Sequence, residues 1–456
     1  MKKLTVIMTL SAAVVLFAMC NKAKELPDAA FDDRLSGGLA TVFDETSRAF
    51  TRGISGLSSR DEVVHEFGDQ AFEQTFVADS AIFSGKGPVY NNVSCISCHH
   101  NDGKGTPTAG YPNSSLLFRV SLPGEDEHGA PLGLPGYGFQ IQDKALIGIQ
   151  PEARVAIQYI EQTVAYPDGS AVTLRKPVYT VQDAYFPLPA TFNLSPRLAP
   201  PVFGMGLIES IPESTILSFA DEHDVDGDGI SGRPNYIYDT ASNRMDIGRF
   251  GLKANTVSLA HQVALAYQQD MGVTSSVLPD ESSKGQSQYT GTTTHSELPD
   301  STLKAVTFYV QTLAVPARRN VNDTTNKKGE ALFTQINCSG CHKPTVYTGL
   351  NTAIPALSGQ RIHPYTDLLL HDMGEELADG RPDFVATGSE WRTMPLWGIG
   401  LFEKTNGIPY YLHDGRARTI EEAILWHSGE AQKSKNAFMN LSKEDRDAVI
   451  QFLKSL

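Results

Sequence analysis

Cys95-Ile96-Ser97-Cys98-His99 and Cys338-Ser339-Gly340-Cys341-His342 decide how this chain is read. Each places two thiols three residues apart and an imidazole directly after them, the Cys-x-x-Cys-His pattern of covalent haem attachment. The spacing has a physical reason. Two such thiols reach the two vinyl-derived carbons on one edge of a porphyrin, and the adjacent histidine falls beneath the ring as proximal iron ligand. With five cysteines and twelve histidines in 456 residues, about 10⁻³ matches are expected by chance, and there are two. A four-cysteine zinc site is the poorer reading, because structural zinc pairs are joined by a short loop and these pairs lie more than two hundred residues apart. Two redox disulfides would not require a histidine after each pair. The sequence therefore predicts two covalent haem c groups, bound through Cys95, Cys98, Cys338 and Cys341, with His99 and His342 on the irons.

Outward from the motifs, each sits in a similar frame. Lys327 to Ile336, with apolar Ala331, Leu332 and Phe333, reads as a helix leading into the second motif. The chain closes with Ser442-Lys443-Glu444-Asp445, a capping start, and a stripe of Ala448, Val449, Phe452, Leu453 and Leu456 at helical spacing. Asp61 to Val77 leads towards the first motif. Ala305 to Leu313 aligns with Ala448 to Leu456, with Ala, Val and the final Leu identical and the stripe in phase, which reads as an internal duplication. The segment between is rich in Gly and Pro, with β-branched runs at Arg154 to Tyr166 and Val172 to Thr180, and is expected as loops and short strands. The domain plan is a signal segment over 1–20, a linker or helix over 21–56, a first haem domain over 57–314 with an insertion at about 101–256, a polar linker over 315–326, and a second haem domain over 327–456. The expected fold class is mainly α: two c-type cytochrome domains, the first with a long loop- and short-strand-rich insertion.

Lys2 and Lys3 ahead of apolar Leu4 to Phe17 read as an export signal, too short for a comfortable membrane span. Cys20 follows directly, so cleavage before it and lipidation of its thiol is one outcome, although Phe17-Ala18-Met19 departs from the usual Leu-Ala-Gly/Ala triplet. The expected location is the periplasm, or the outer face of a bacterial membrane as a lipoprotein. The composition, 41% hydrophobic and 20% charged, is that of a globular chain. A net charge of −14 argues against nucleic acid and anionic lipid as partners, and suits a small basic redox protein as electron donor. Membrane contact is expected only through a lipid on Cys20.

Several further segments resemble the bacterial di-haem oxidoreductases, a group related to di-haem cytochrome c peroxidases and the methylamine-utilisation di-haem enzymes. The carriers are Gly204-Met205-Gly206-Leu207-Ile208-Glu209-Ser210-Ile211-Pro212, Asp226-Gly227-Asp228-Gly229-Ile230-Ser231-Gly232-Arg233, Gly248-Arg249-Phe250-Gly251 and Leu313-Ala314-Val315-Pro316-Ala317-Arg318-Arg319. Towards the C-terminus they are Asp367-Leu368-Leu369-Leu370-His371-Asp372-Met373-Gly374, Glu390-Trp391-Arg392-Thr393 and His413-Asp414-Gly415-Arg416. The resemblance implies a division of labour. A high-potential haem on His342 accepts electrons from a donor, and the haem on His99 opens an axial position and reduces hydrogen peroxide to water. Some relatives place a tryptophan between the haems; here Trp391, Trp397 and Trp426 all lie in the second half.

An electron-transfer haem needs a second strong ligand. The ninth residue of Thr419-Ile420-Glu421-Glu422-Ala423-Ile424-Leu425-Trp426-His427 stands where related peroxidases have a distal methionine, which makes His427 the favoured ligand and Met373 its competitor. For the first haem, His128, His261, Lys253 and Met271 are open candidates. Peroxide cleavage needs a group that moves a proton between the two oxygens, and Glu209 best matches the glutamate of the related peroxidases. Asp224, Asp226 and Asp228, with the carbonyl of Ile230, form the first half of an EF-hand-like loop, a Ca²⁺ candidate whose twelfth position is Asn235 rather than Glu. Related di-haem peroxidases bind calcium between their domains. Besides the peroxidase, two readings stay open: an electron-transfer or redox-sensing cytochrome with both irons saturated, and an oxidase of a protein partner.

Overall fold

Two helix pairs frame the two Cys-x-x-Cys-His segments. In the computed structural model, which describes residues 32–77, 87–108, 115–239, 243–291 and 296–456, the helices are α1 Ser59–Glu73, α2 Met205–Glu209, α3 Glu213–Leu217, α4 Leu259–Met271, α5 Asp300–Thr312, α6 Thr324–Gln335, α7 Phe402–Asn406, α8 Ile420–Trp426, α9 Gln432–Met439 and α10 Lys443–Ser455. The signal segment and Cys20 lie outside the described residues.

Helix α1 packs on α5, and α6 on α10. Their ends are set by local chemistry. Ser58 accepts from Asp61 N, Asp323 from Thr325 N and Asn326 N, and Ser442 from Asp445 N, each satisfying amides that a helix start leaves open. The two pairs repeat in detail. Gly68 of α1 meets the Ala305 carbonyl and Tyr309 of α5; Gly329 of α6 meets the Ala448 carbonyl and Phe452 of α10. Four residues on from each glycine, Phe72 lies 5.5 Å from the Tyr309 ring and Phe333 lies 5.4 Å from the Phe452 ring. The same phenylalanines lie 6.1 Å from His99 and 6.2 Å from His342. A glycine at the crossing lets the helices approach closely enough for the next phenylalanine to reach the imidazole.

The expected mainly α fold is corrected by the structure, which is 30% helical and 20% strand with many small sheets. The largest departure is the hairpin Arg154–Ala165 with Ala171–Gln182, twelve residues paired in unbroken register. Its turn is closed by Asp168, which accepts from Ser170 N, and by Gly169 at φ +86°. Pro177 lies within the second strand, opposite Tyr159. In a two-stranded sheet every strand has an outward edge, so a residue without an N–H is tolerated there. A second sheet sets Leu116–Glu125 between Pro131–Leu132 and Asn193–Leu198. The stretch between Cys338 and α7 is turns, short strands and single 3₁₀ turns, with no α-helix.

The hairpin reaches the second half of the chain. Tyr166 donates to Glu421 at 2.7 Å, Arg446 pairs with Asp168 at 2.7 Å, and Arg175 bonds the carbonyls of Arg416 and Gly415. The segment expected as a polar linker begins buried. Val315–Pro316 pairs in parallel with Thr41–Val42, and Arg319 N bonds Ser455 O. Residues Arg34–Leu456 form one unit. Among the described residues no helix is long and apolar enough to cross a membrane.

Candidate functional site

The second site is built where α6 ends. Asn337 adopts the left-handed region at φ +61° and turns the chain into Cys338–Gly340. A side chain at Gly340 would collide with Ile230, so the Asp224–Ile230 loop packs directly on this turn. His342 Nδ1 donates to Tyr365 O at 3.0 Å. His427, at the C-terminal end of α8, donates from Nδ1 to Ala423 O at 2.7 Å. A carbonyl only accepts, so both rings carry their proton on Nδ1 and bear the lone pair on Nε2. Fastening the far nitrogen in this way is how proteins orient metal-bound imidazoles.

His342, His427, Met373, Cys338 and Cys341 all line one apolar cavity. Burial pushes His342 down to about 4, with His427 the next cause, and burial lowers His427 as well. Burial, then Cys341, pushes the Cys338 thiol up to about 12. Among the described residues the four motif thiols do not gather into one metal-binding group, which argues against the four-cysteine zinc alternative. The cavity, the paired Nε2 lone pairs and the two thiols fit a haem.

His371 stands beside this site, 3.6 Å from Cys341 Sγ. Its nitrogens meet Asp367 at 2.9 Å and Glu430 at 2.7 Å. Burial alone would lower its pKa, but Asp367, then Cys341, outweigh burial and raise it well above the usual imidazole range. Glu430 also accepts from Ser231, which ties the acidic loop to the site. In that loop Asp221, Asp224 and Asp226 bring oxygens within 4.8 Å of one another. Asp228 accepts instead from Asn337 and from Ile230 N. Asn235, at the twelfth position, is fully buried and bonds Lys253 O, Asp383 O and Val385 N.

At the first site His99 Nδ1 donates to Pro200 O at 2.7 Å, giving the same tautomer, and burial lowers it to about 4. Cys98 accepts from Asn92 Nδ2 at 2.8 Å. Tyr309 donates to Asp102, whose carboxyl burial pushes up to about 7. Glu209 ends α2. Its Oε1 accepts from Leu259 N at the start of α4 and its Oε2 from Gln311 at 2.5 Å, and it lines an open recess with Ser210 and Leu350. Lys253 is fully buried, bonded to Asp379, Arg381 O and Thr387 O. His128 stacks on Tyr238. His261 is half-buried at the start of α4, and Met271 is buried at its end.

The two sites touch. Pro200, bonded to His99, also lines the second cavity with Pro201 and Lys104. Asn406 of α7 bonds the carbonyls of His100 and Lys104, and Asn101 bonds Thr405 O. Trp391 lines the same cavity and stacks on His413 at 3.8 Å and 12°. Sequence reasoning did not single out Lys104, Arg392, Met394 or Pro200 as site residues. Lys104 carried one signal, its place five residues after His99.

Residues 31–456 match the family described as "Di-haem oxidoreductase, putative peroxidase". No curated protein matches the chain. Among solved structures, a Kuenenia stuttgartiensis hydrazine synthase is similar at 13% identity and TM-score 0.39, covering 100% of both chains. A MauG-like protein associated with microbial copper homeostasis is similar at 14% identity and TM-score 0.28, covering 56% of this chain and 89% of its own.

Proposed function

This chain belongs to the di-haem oxidoreductase family, and from that premise we propose that it is an exported enzyme with two covalently bound haems that reduces hydrogen peroxide at the His99 site. Electrons enter from a small redox protein through the His342 site. The observation that carries the reading is the frame built twice: glycine crossing, phenylalanine, Cys-x-x-Cys-His, and an Nδ1–H bond to a carbonyl.

Two haems supply storage for two electrons, the number that reduction of peroxide to water consumes. The chain's own residues divide the roles. His342 and His427 offer two nitrogen donors at one cavity, which suits a saturated relay, so the reacting position falls to His99. Pro200 and Lys104 bring the His99 loop against the relay cavity, a short route between the sites. Glu209 is the proposed acid–base group. Both its oxygens accept hydrogen bonds in this arrangement, so moving a proton requires it to leave Gln311 or Leu259 N. A Ca²⁺ ion held by Asp221, Asp224 and Asp226 would brace the loop against the Cys338 turn.

The test is peroxide turnover by the one-electron-reduced protein. The reading expects a high-spin, ligand-exchangeable signal and turnover with a reduced donor. Glu209→Gln should keep both haem spectra and lose about 10²–10⁴-fold in rate. No exchangeable signal and no turnover with any donor would favour an electron-transfer or redox-sensing cytochrome instead.

A further inference from the structure

Lys104, Arg392 and Lys435 line the second cavity, and among the described residues none has a carboxylate within 4.0 Å. Lys104 is half-buried, and its side chain lines the cavity. Its Nζ makes one hydrogen bond, to Leu412 O at 3.1 Å, and keeps two N–H donors to spend. Arg392 is 6% exposed and lines the same cavity. Its Nε bonds Gly251 O at 3.0 Å and its Nη2 bonds Met394 Sδ at 2.9 Å, while Nη1 has no partner among the described residues. The nearest carboxylates are committed elsewhere. Asp414 is paired with Arg416 at 2.8 Å, and Asp367 with His371 at 2.9 Å. Among the described residues no carboxylate comes within 4.0 Å of either cation.

Both Lys104 and Arg392 line the same cavity. Lys104 bonds the carbonyl of Leu412, its neighbour His413 stacks on Trp391, and Trp391 precedes Arg392. Taking a charge out of water is costly unless it is paired, and the desolvation shows in both groups. Burial lowers Lys104 to about 8 and Arg392 to about 10. An apolar cavity lined by Lys104 and Arg392, the more deeply buried of its unpaired cations, calls for a largely apolar ligand that carries negative charge. Haem is such a ligand, since its two propionates are carboxylates on an otherwise apolar ring.

We propose that Lys104 and Arg392 bind the two propionate carboxylates of the haem held by Cys338, Cys341 and His342. This rests on the covalent-haem reading of that site. It goes further in giving a residue from the first haem's attachment loop a direct hold on the second haem. A cation at a propionate offsets negative charge near the iron, so losing it favours the ferric state and lowers the midpoint potential.

Redox potentiometry of the intact protein, followed by optical and EPR spectra, tests this. Lys104→Met and Arg392→Met should each keep two covalent haems and the low-spin signal of the second site, and lower that site's midpoint potential. Lys104→Arg should restore it. Lys404→Met, which removes an exposed cation of α7 outside the cavity lining, should leave it in place. Resonance Raman spectra of Lys104→Met should show shifted propionate-bending bands, a readout that does not depend on Arg392→Met folding. Unchanged potentials and bands with both haems bound overturn the inference and leave the haem reading standing. Appearance of a high-spin second haem in Lys104→Met overturns it by making the lysine an iron ligand. A wild type without haem on Cys338 and Cys341 removes the underlying reading and the inference with it.

Discussion

Replacing Gly329 by alanine sets two effects against each other, and the structure decides between them. In an exposed helix interior Gly→Ala stabilises by about 1 kcal/mol, because glycine gives up more backbone freedom on folding. At Gly329 the new methyl would stand 2.8 Å from Phe452 Cβ and closer still to the Ala448 carbonyl. A backbone oxygen inside a helix cannot turn away, so α6 and α10 must separate. Overpacking of this kind costs about 1–3 kcal/mol, and separation also loosens Phe333 between Phe452 and His342. We expect a net destabilisation of about 1–2 kcal/mol. Gly68→Ala should act alike, since its methyl would lie 2.7 Å from Tyr309 Cβ and nearer the Ala305 carbonyl. Gly133, where an added methyl meets only ordinary contacts at 3.6 Å and beyond, is the control and should be near neutral. Denaturant unfolding of the three variants measures the order. If Gly329→Ala or Gly68→Ala gains stability, the helices are not in backbone contact and the repeated frame is wrong.

Three other outcomes follow from the geometry. His427→Met should keep the second haem low-spin and raise its potential, and Met373→Leu should leave the spectrum alone; the reverse pattern makes Met373 the ligand. Asp383 is buried, which alone would raise its carboxyl, but Arg381, Arg197 and Lys253 outweigh this and hold it at about 2. Its folded pKa lies below its unfolded value, so it contributes about 2 kcal/mol above pH 4 that is lost as pH falls towards 2. Asp383→Asn should be less stable at pH 7 and flatter over that window in acid-unfolding curves. Removing calcium with a chelator should lower the melting temperature, by the equivalent of about 2.7 kcal/mol for an ion present at a hundred times its Kd; Asp221→Ala should abolish the difference, and equal melting with and without calcium would make the loop a plain turn.

What the sequence shows clearly is what covalent chemistry fixes at short range. The two Cys-x-x-Cys-His motifs and the Ser442 cap depend on spacing of a few residues, so they can be read directly. The duplicated helix pairs were visible in the shared stripe, although not the glycine contacts that explain it. The β-branched runs at Arg154 to Tyr166 and Val172 to Thr180 were expected as short strands among loops, whereas the pairing partner and the Asp168–Gly169 turn make them one long hairpin. An EF-hand register starts at Asp224, yet the fold brings in Asp221 and turns Asp228 towards Asn337. Lys104 and Arg392 come to one cavity only in the folded chain, 288 residues apart in sequence, and no local pattern joins them. For Glu209 the sequence offered a context, and the structure adds its partners, an amide and Gln311.

The account rests on two haems bound covalently at the two motifs, and the intact mass of the denatured protein tests that most directly. The predicted spectrum shows the chain plus two haems, falling to one in Cys98→Ala or Cys341→Ala and to none when both are replaced. A wild-type mass with one haem, with none, or with zinc in their place would contradict it.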